Sequence, residues 1–312
     1  MMVSLFASLI ELARRFKRRV FAPARWHAIE VRVRWWLHGR GLGGKPASHT
    51  LSHKLIVSMT SYPPRYSTLA LSLKSLLMQS MRADEVVLWI ADDDYARLPM
   101  DVLNLRVSGL SIKTCKDWRP YKKLIPQLLE TPDAAIVTTD DDIYYPPTWL
   151  KELVEGIRPG AREVLCHRAH KIIYSDEQGK PDPYLEWVHG TSDTSSSSRI
   201  FPTGAGGILY PPGILHPDVT NPDYFLTYCP TGDDIWFFFM AARTGASFRK
   251  VGRVRPLIAW DGTEDSALWN SNQLATGNDR MIAAMVERFG DPWAKSGMLP
   301  RDERKLDYGS AR

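Results

Sequence analysis

The residues best suited to chemistry in this 312-residue chain are carboxylates that occur in runs. The most informative run lies in TTDDDIYYPPTWL (138–150), where Asp140, Asp141 and Asp142 follow an apolar stretch. Three adjacent carboxylates repel one another unless a cation or hydrogen-bond donors compensate. In extended chain Asp140 and Asp142 point the same way and Asp141 points back. Two hard oxygen ligands one residue apart suit Mg²⁺ or Mn²⁺ that also binds phosphate oxygens. A turn or helix-cap cluster is the competing reading. The apolar run before the cluster, and Tyr144, Tyr145, Pro146 and Pro147 fixing its exit, favour the metal.

Two further motifs have the same double character. Gly232-Asp233-Asp234 opens the helical run IWFFFMAARTG, closed by Gly245. Carboxylates in a first helical turn are favoured by the macrodipole alone, but Asp234 is also placed to act as a general base, with Asp233 orienting it. FPTGAGGILYPP (201–212) sets Gly204, Gly206 and Gly207 between apolar flanks, either as a tight turn or as a place where backbone approaches a ligand closely. GRGLGG at 39–44 formally matches a dinucleotide fingerprint, yet it lacks the strand before and the helix after that give the pattern meaning. It reads as a hinge. There is no Walker-type loop, which excludes a P-loop NTPase.

These side chains need a scaffold, and the periodicity supplies one. LIVSM (55–59), EVVLWI (85–90), SIKTC (111–115) and AAIVTT (134–139) read as strands, with a helix running to Gln79 after the first and a short helix over Lys122–Leu129 before the fourth. Strands separated by helices imply an α/β fold with a mostly parallel sheet and helices on both faces. Ligands in such sheets bind at the carboxyl ends of strands. Three of the four strands end there in polar residues: Thr60–Ser61–Tyr62, Asp92–Asp93–Asp94 and Asp140–Asp141–Asp142.

Charge is distributed unevenly. The first fifty residues hold ten Lys or Arg and two Glu, a balance of +8 within a whole-chain net charge of +5, so the body is at −3. A nucleic-acid-binding body would carry its basic excess on the folded face, so no nucleic-acid partner is expected. In the leader, Leu5, Leu9, Leu12, Phe16 and Val20 recur at helical spacing, with Pro23 expected to end the helix. Trp26, Ile29, Val33 and Trp36–Leu37 recur in a second segment among Arg25 and Arg32. This N-terminal basic amphipathic helical segment suits an anionic membrane surface, reached through residues 1–38. Docking on the body and a targeting peptide stay open as alternatives. No apolar run reaches the roughly 18–20 residues of a span. Three scattered cysteines, Cys115, Cys166 and Cys229, fit a reducing cytoplasm.

The order strand, TSYPPR, helix, LWIADDD, then TTDDDIYYP resembles the nucleotide-sugar-dependent glycosyltransferases of the GT-A fold, nearest to family-two-like bacterial enzymes. The resemblance continues through FPTGAGGILYPP and CPTGDDIWFFFMA and covers residues 54–260. It implies a GT-A type, Rossmann-like sheet and a donor that is a nucleoside diphosphate sugar, UDP-linked by preference. It implies that Asp140 and Asp142 hold Mn²⁺ or Mg²⁺ at the diphosphate, whose developing charge a divalent cation neutralises. Thr60, Tyr62, Arg65, Asp92, Lys122, Lys123, Asp140 and Asp141 then fall on the donor side. Gly204, Gly206 and Gly207 form part of the donor-sugar and acceptor pocket, and Asp234 with Asp233 is the inverting base pair. For each lysine alone, a solvated helix face is an equal reading.

Two departures qualify the resemblance. No Gln-x-x-Arg-Trp occurs, so one sugar is expected per encounter, and all eight histidines lie at or before His216, so Asn270, Asn272 or water would complete a metal shell. The polar run 189–199 reads as a donor-ordered lid or as a plain loop. The expected organisation is a leader (1–50), a catalytic domain (51–260) and a C-terminal helical extension and tail (261–312), with a helix over 278–290. The expected activity is transfer of one sugar to a saccharide or lipid-linked saccharide, on the inner face of the cytoplasmic membrane. A nucleotidyl- or phosphosugar transferase is an alternative, weakened because TSYPPR has one Arg and no Gly. An inactive carbohydrate- or membrane-binding module is another.

Overall fold

The computed structural model describes residues 23–174, 181–262 and 277–292. The chain enters through helix α1 (Pro23–His38). Pro23 opens this helix, which a first-turn proline can do without losing a hydrogen bond. The segment before it, with its expected apolar stripe, lies outside the described residues. After the 39–44 turn, the two-residue strand β1 (Ala47–Ser48) precedes the first long strand, β2 (Leu55–Thr60). Helix α2 (Tyr66–Leu77) returns the chain to β3 (Met81–Arg82), which pairs with β1, and to β4 (Glu85–Ala91).

A short helix α3 (Met100–Leu103) leads to β5 (Leu110–Cys115). The single helix expected over Lys122–Leu129 is instead a 3-10 turn (Arg119–Lys123) followed by α4 (Ile125–Glu130). Pro126 at the start of α4 has no amide hydrogen to carry the helix through from the turn. Next come β6 (Ala135–Thr139), α5 (Trp149–Glu155), β7 (Glu163–Cys166) and β8 (Ala169–Lys171). The rest is β9 (Ile200–Pro202), β10 (Ile208–Tyr210), α6 (Pro222–Tyr228), α7 (Asp233–Ala242), β11 (Ser247–Lys250) and α8 (Gly277–Phe289).

Seven strands form one sheet in the order β11-β7-β10-β6-β2-β4-β5. Only β10 runs against its neighbours: Ile208 pairs with Thr138 on one side and with Cys166 on the other. The sheet is thus mostly parallel, as expected, and both faces are covered. Alternation along each strand divides the core in two. Ile56, Val87, Trp89, Ile136, Val164 and Ile208 face one layer, which α7 closes with Ile235, Phe237 and Phe238. Leu55, Val57, Leu88, Val137, Leu165 and Leu209 face the other, closed by Leu69, Leu73 and Leu76 of α2 and by Leu150 and Leu153 of α5. Near-continuous apolar strands are what a doubly covered parallel sheet requires.

The first and last described helices both pack on the body. Helix α1 buries Val31 against Met78, Tyr144 and Trp260, and Arg34 donates to the Met78 carbonyl at 3.0 Å. Helix α8 buries Met281, Ile282 and Met285 in the layer that holds α7. The 189–199 run is docked: Thr191 N–H donates to the Ala169 carbonyl at 3.0 Å, Ser197 pairs with Phe248 of β11, and Lys171 meets Asp193 at 3.1 Å. Among the described residues no helix is long and apolar enough to cross a membrane.

Candidate active site

A cleft of about 530 Å³ opens at the carboxyl ends of β2 and β6, and four segments supply its polar lining named below. The β2 end contributes Thr60, Ser61, Tyr62 and Arg65. The 3-10 turn brings Lys122 and Lys123, the β6 end Asp140 to Asp142, and the first turn of α7 Asp233 and Asp234. Chain order explains the convergence, because in a parallel sheet every such loop emerges on one edge.

The acidic turn is clamped from behind. Asp140 N–H donates to Tyr145 Oη at 2.8 Å, Ser72 Oγ donates to the Asp141 carbonyl at 2.7 Å, and Trp260 N–H to the Asp142 carbonyl at 2.9 Å. Trp260 Nε1 in turn donates to Ser72 Oγ at 2.7 Å. The carboxylates therefore point where the turn aims them. The alternation expected for Asp140 and Asp142 does not hold, because β6 ends at Thr139 and the next residues turn. Asp140 Oδ1 takes Lys123 at 2.7 Å, whereas Asp141 and Asp142 share Arg65. Asp141 also accepts from Ser61 Oγ.

Lys123 is the hub. Its ammonium lies 2.7 Å from Asp140 Oδ1 and 3.0 Å from Asp233 Oδ2, so it joins the β6 turn to α7. Lys122 and Lys123 are 2% and 5% exposed, which removes the solvated-face reading for both. Lys122 Nζ instead pairs with Asp117. Burial works against the Lys123 ammonium, but Asp140, Asp233 and Asp234 hold it firmly protonated. The same burial acts on the carboxyls. Asp234 is pushed up to about 7 by desolvation and by the Asp233 charge, while Lys123 and the Gly204 amide oppose the shift. Asp141 rises to about 7, chiefly by burial. Asp142 and Asp233 rise as well, with desolvation first in each case.

Gly204 N–H donates to Asp234 Oδ2 at 2.9 Å, and Asp234 Oδ1 is buried with no hydrogen-bond partner. A β-carbon on Gly204 would lie 2.9 Å from Lys123 Nζ and 3.0 Å from Asp234 Oδ1. Gly204 thus keeps open the space between the two acidic motifs. Gly206 and Gly207 serve packing instead: a β-carbon there would strike Arg168 at 2.5 Å or Trp149 at 2.3 Å. Asp92 does not line the cleft; it is exposed on the 3-10 turn after β4, and Asp94 lines the cleft in its place. The turn rotates the run, so the third carboxylate faces inward.

Sequence reasoning missed Asp117, Arg119, Arg168, His170 and Tyr184, all of which line the cleft. Arg168 follows the end of β7 and so obeyed the strand-end rule, but β7 had not been singled out. Arg119 adopts φ +54°, a backbone choice invisible in composition. His170 is buried and held neutral, its pKa pushed down to about 3 by desolvation and then by Arg168. Its Nδ1 accepts from Gly190 N–H at 3.1 Å.

The donor set for a cation is oxygen-only. Among the described residues no three His, Cys, Asp or Glu side chains are grouped to enclose a metal; Asn270 and Asn272 lie outside them. In this structure Asp140 engages Lys123 and Asp142 engages Arg65, so they form no closed structural site; as hard oxygen donors they would suit a cation that draws the rest of its shell from phosphate oxygens and water.

No protein-family model and no curated protein matches the chain. Solved structures similar to it include GalNAc-T7 with UDP, GalNAc and Mn²⁺, at 11% identity over 75% of this chain and 48% of that one, TM-score 0.43. TarS 1–349 of S. aureus is 14% identical over 75% of this chain and 73% of its own, TM-score 0.41. Glucosyl-3-phosphoglycerate synthase from Mycobacterium tuberculosis, in complex with Mn²⁺, uridine diphosphate and glucosyl-3-phosphoglycerate, is 13% identical over 76% and 88%, TM-score 0.40. The chain spans about half the length of the first of these. Likenesses this distant carry no weight for what the chain does.

Proposed function

We propose that the protein is a GT-A type glycosyltransferase that moves one sugar from a nucleoside diphosphate sugar, UDP-linked by preference, to a saccharide or lipid-linked saccharide, with inversion. One observation carries the reading: the acidic turn after β6 and the acidic first turn of α7 face a single cleft and are joined through Lys123. A sugar leaving a diphosphate needs negative charge neutralised on one side and a proton removed on the other.

Asp140 and Asp142 would hold Mn²⁺ or Mg²⁺, which supplies Lewis-acid stabilisation of the departing diphosphate. Lys122, Lys123 and Arg65 add fixed positive charge beside it. Asp234 takes the acceptor hydroxyl proton on Oδ1 as the acceptor oxygen bonds to the anomeric carbon. The bond from that carbon to the phosphate oxygen breaks, and the nucleoside diphosphate leaves with the electron pair. Asp233, tied to Lys123, positions Asp234 and raises its basicity. The reading also puts the protein on an anionic membrane surface through residues 1–38, which the apolar residues exposed on α1 support.

The test is a screen of nucleoside diphosphate sugars by thermal shift and product formation, with and without Mn²⁺, on the wild type and on Asp142→Ala. Expected are a metal-dependent shift with one donor and no metal-dependent turnover in Asp142→Ala. Full turnover in excess chelator would overturn the metal assignment. Donor binding without turnover on any acceptor, unchanged in Asp234→Asn, would instead favour a binding module.

A further inference from the structure

Beside the cleft lies a second cavity of about 280 Å³ with a different lining. Ile143, Arg168 and Ala205 belong to both cavities and form their shared wall. The main cleft is lined by seven aspartates, and the second cavity by no carboxylate at all. Its floor is apolar, with Tyr144, Trp149, Pro256, Leu257 and Ile258, and its cations are Arg168, Arg253 and Arg255.

These guanidiniums are incompletely matched. Arg255 pairs with Glu152 through Nη2, but its Nη1 is buried with no hydrogen-bond partner. Arg253 is exposed and has no ion pair among the described residues. Arg168 donates through Nη1 to Thr203 Oγ1 at 2.8 Å and meets no carboxylate within ion-pair distance there. A buried donor left unsatisfied is costly, and planar guanidinium forks suit phosphate oxygens. The apolar floor asks for hydrocarbon next to that phosphate. The cavity also reaches His27 of α1, the helix whose other side exposes Trp26, Ile29, Val33 and Trp36.

We propose that the second cavity binds an amphiphilic anion, seating a phosphate on Arg253, Arg255 and Arg168 and the adjoining hydrocarbon on the Leu257–Ile258 floor. Resting on the reading of the main cleft as the donor site, this makes the acceptor a phosphate-linked lipid whose far end passes the shared wall toward Asp234. The site itself needs no catalysis to exist.

The experiment is titration calorimetry of the full chain with a short isoprenyl diphosphate, the matching isoprenol and inorganic pyrophosphate, for wild type, Arg253→Ala and Arg253→Lys. The expected result is binding of the isoprenyl diphosphate at least tenfold tighter than either part, weakened about tenfold or more in Arg253→Ala, partly recovered in Arg253→Lys, and unaffected by saturating UDP. Arg253 is exposed, so neither variant should disturb folding, and an unchanged thermal midpoint checks this. Equal affinity in wild type and Arg253→Ala, or displacement by UDP, would overturn the proposal. Pyrophosphate binding as tightly as the lipid would replace the amphiphile with free phosphate and also overturn it. Arginine-dependent lipid binding in a protein that turns over no sugar donor would leave this site standing and remove the glycosyltransferase reading.

Discussion

At the residue scale, the proposed function rests on how burial sets the protonation of neighbouring carboxyls. Asp234, with its pKa near 7, is protonated below neutrality and free to accept a proton above it. In the pH profile of kcat/KM the acid limb should therefore bend near pH 7 and fall about tenfold per unit below it. Asp234→Asn keeps the shape but removes the base, and should lower kcat by roughly 10²–10⁴ while leaving the donor's binding constant within a few fold. An acid limb that bends near pH 4 would show that another group accepts the proton. The acidic runs were legible in sequence as candidates, since adjacent carboxylates repel one another without a compensating cation or donor. What was not legible was orientation. Asp92 yields to Asp94, and Asp141 joins Asp142 on Arg65, because turns replace strand geometry where the motif begins. Lys123 was legible as a candidate only, since burial decides between a solvated lysine and a hub.

At the element scale, α1 has two apolar stripes. Ala24, Ala28, Val31 and Trp35 follow the side packed on the body. Trp26, Ile29, Val33 and Trp36 lie between 49% and 57% exposed, on a side offset by more than a quarter turn. The sequence pattern had identified the outward stripe and missed the inward one, because small Ala and a lone Val carry little signal. The packed side of α1 agrees with docking on the body, and the exposed apolar side is the one the proposed membrane contact would use. Replacing Trp26 and Trp36 by Ser should cut retention on phosphatidylglycerol vesicles several-fold and leave the thermal midpoint nearly unchanged. Val31→Asp, which buries an unpaired charge, should lower the midpoint sharply. Undiminished vesicle binding by the double serine variant would exclude the outward stripe as the contact.

At the scale of the whole molecule, the sheet was legible because three strands with apolar runs, and the more polar SIKTC, alternate with helical patterns. The short strands β7, β10 and β11 were not legible: three or four residues give too little periodicity, and their place is set by pairing. Beyond residue 260, helix α8 shares a core with α7, and Asn278 lines the cleft. Of the expected leader and C-terminal extension, the described helices α1 and α8 both pack on the body.

The one antiparallel strand of the seven-stranded sheet makes the spacing of the chain a determinant of the proposed activity. Gly204, whose β-carbon would crowd Lys123 and Asp234, lies only four residues before Ile208, which is paired on both sides. One residue inserted after Gly207 would exchange the faces of Ile208, Leu209 and Tyr210 across both cores. Two would restore the faces but move Gly204 by about 6–7 Å. An insertion series should therefore alternate: the odd member fails to fold, as seen by a lost cooperative melt, and the even member folds without turnover. Equal activity across the series would mean that the strand tolerates slippage. The stretch behaves as a ruler cut to an even number of residues, and its length is selected twice, by packing parity and by catalytic reach.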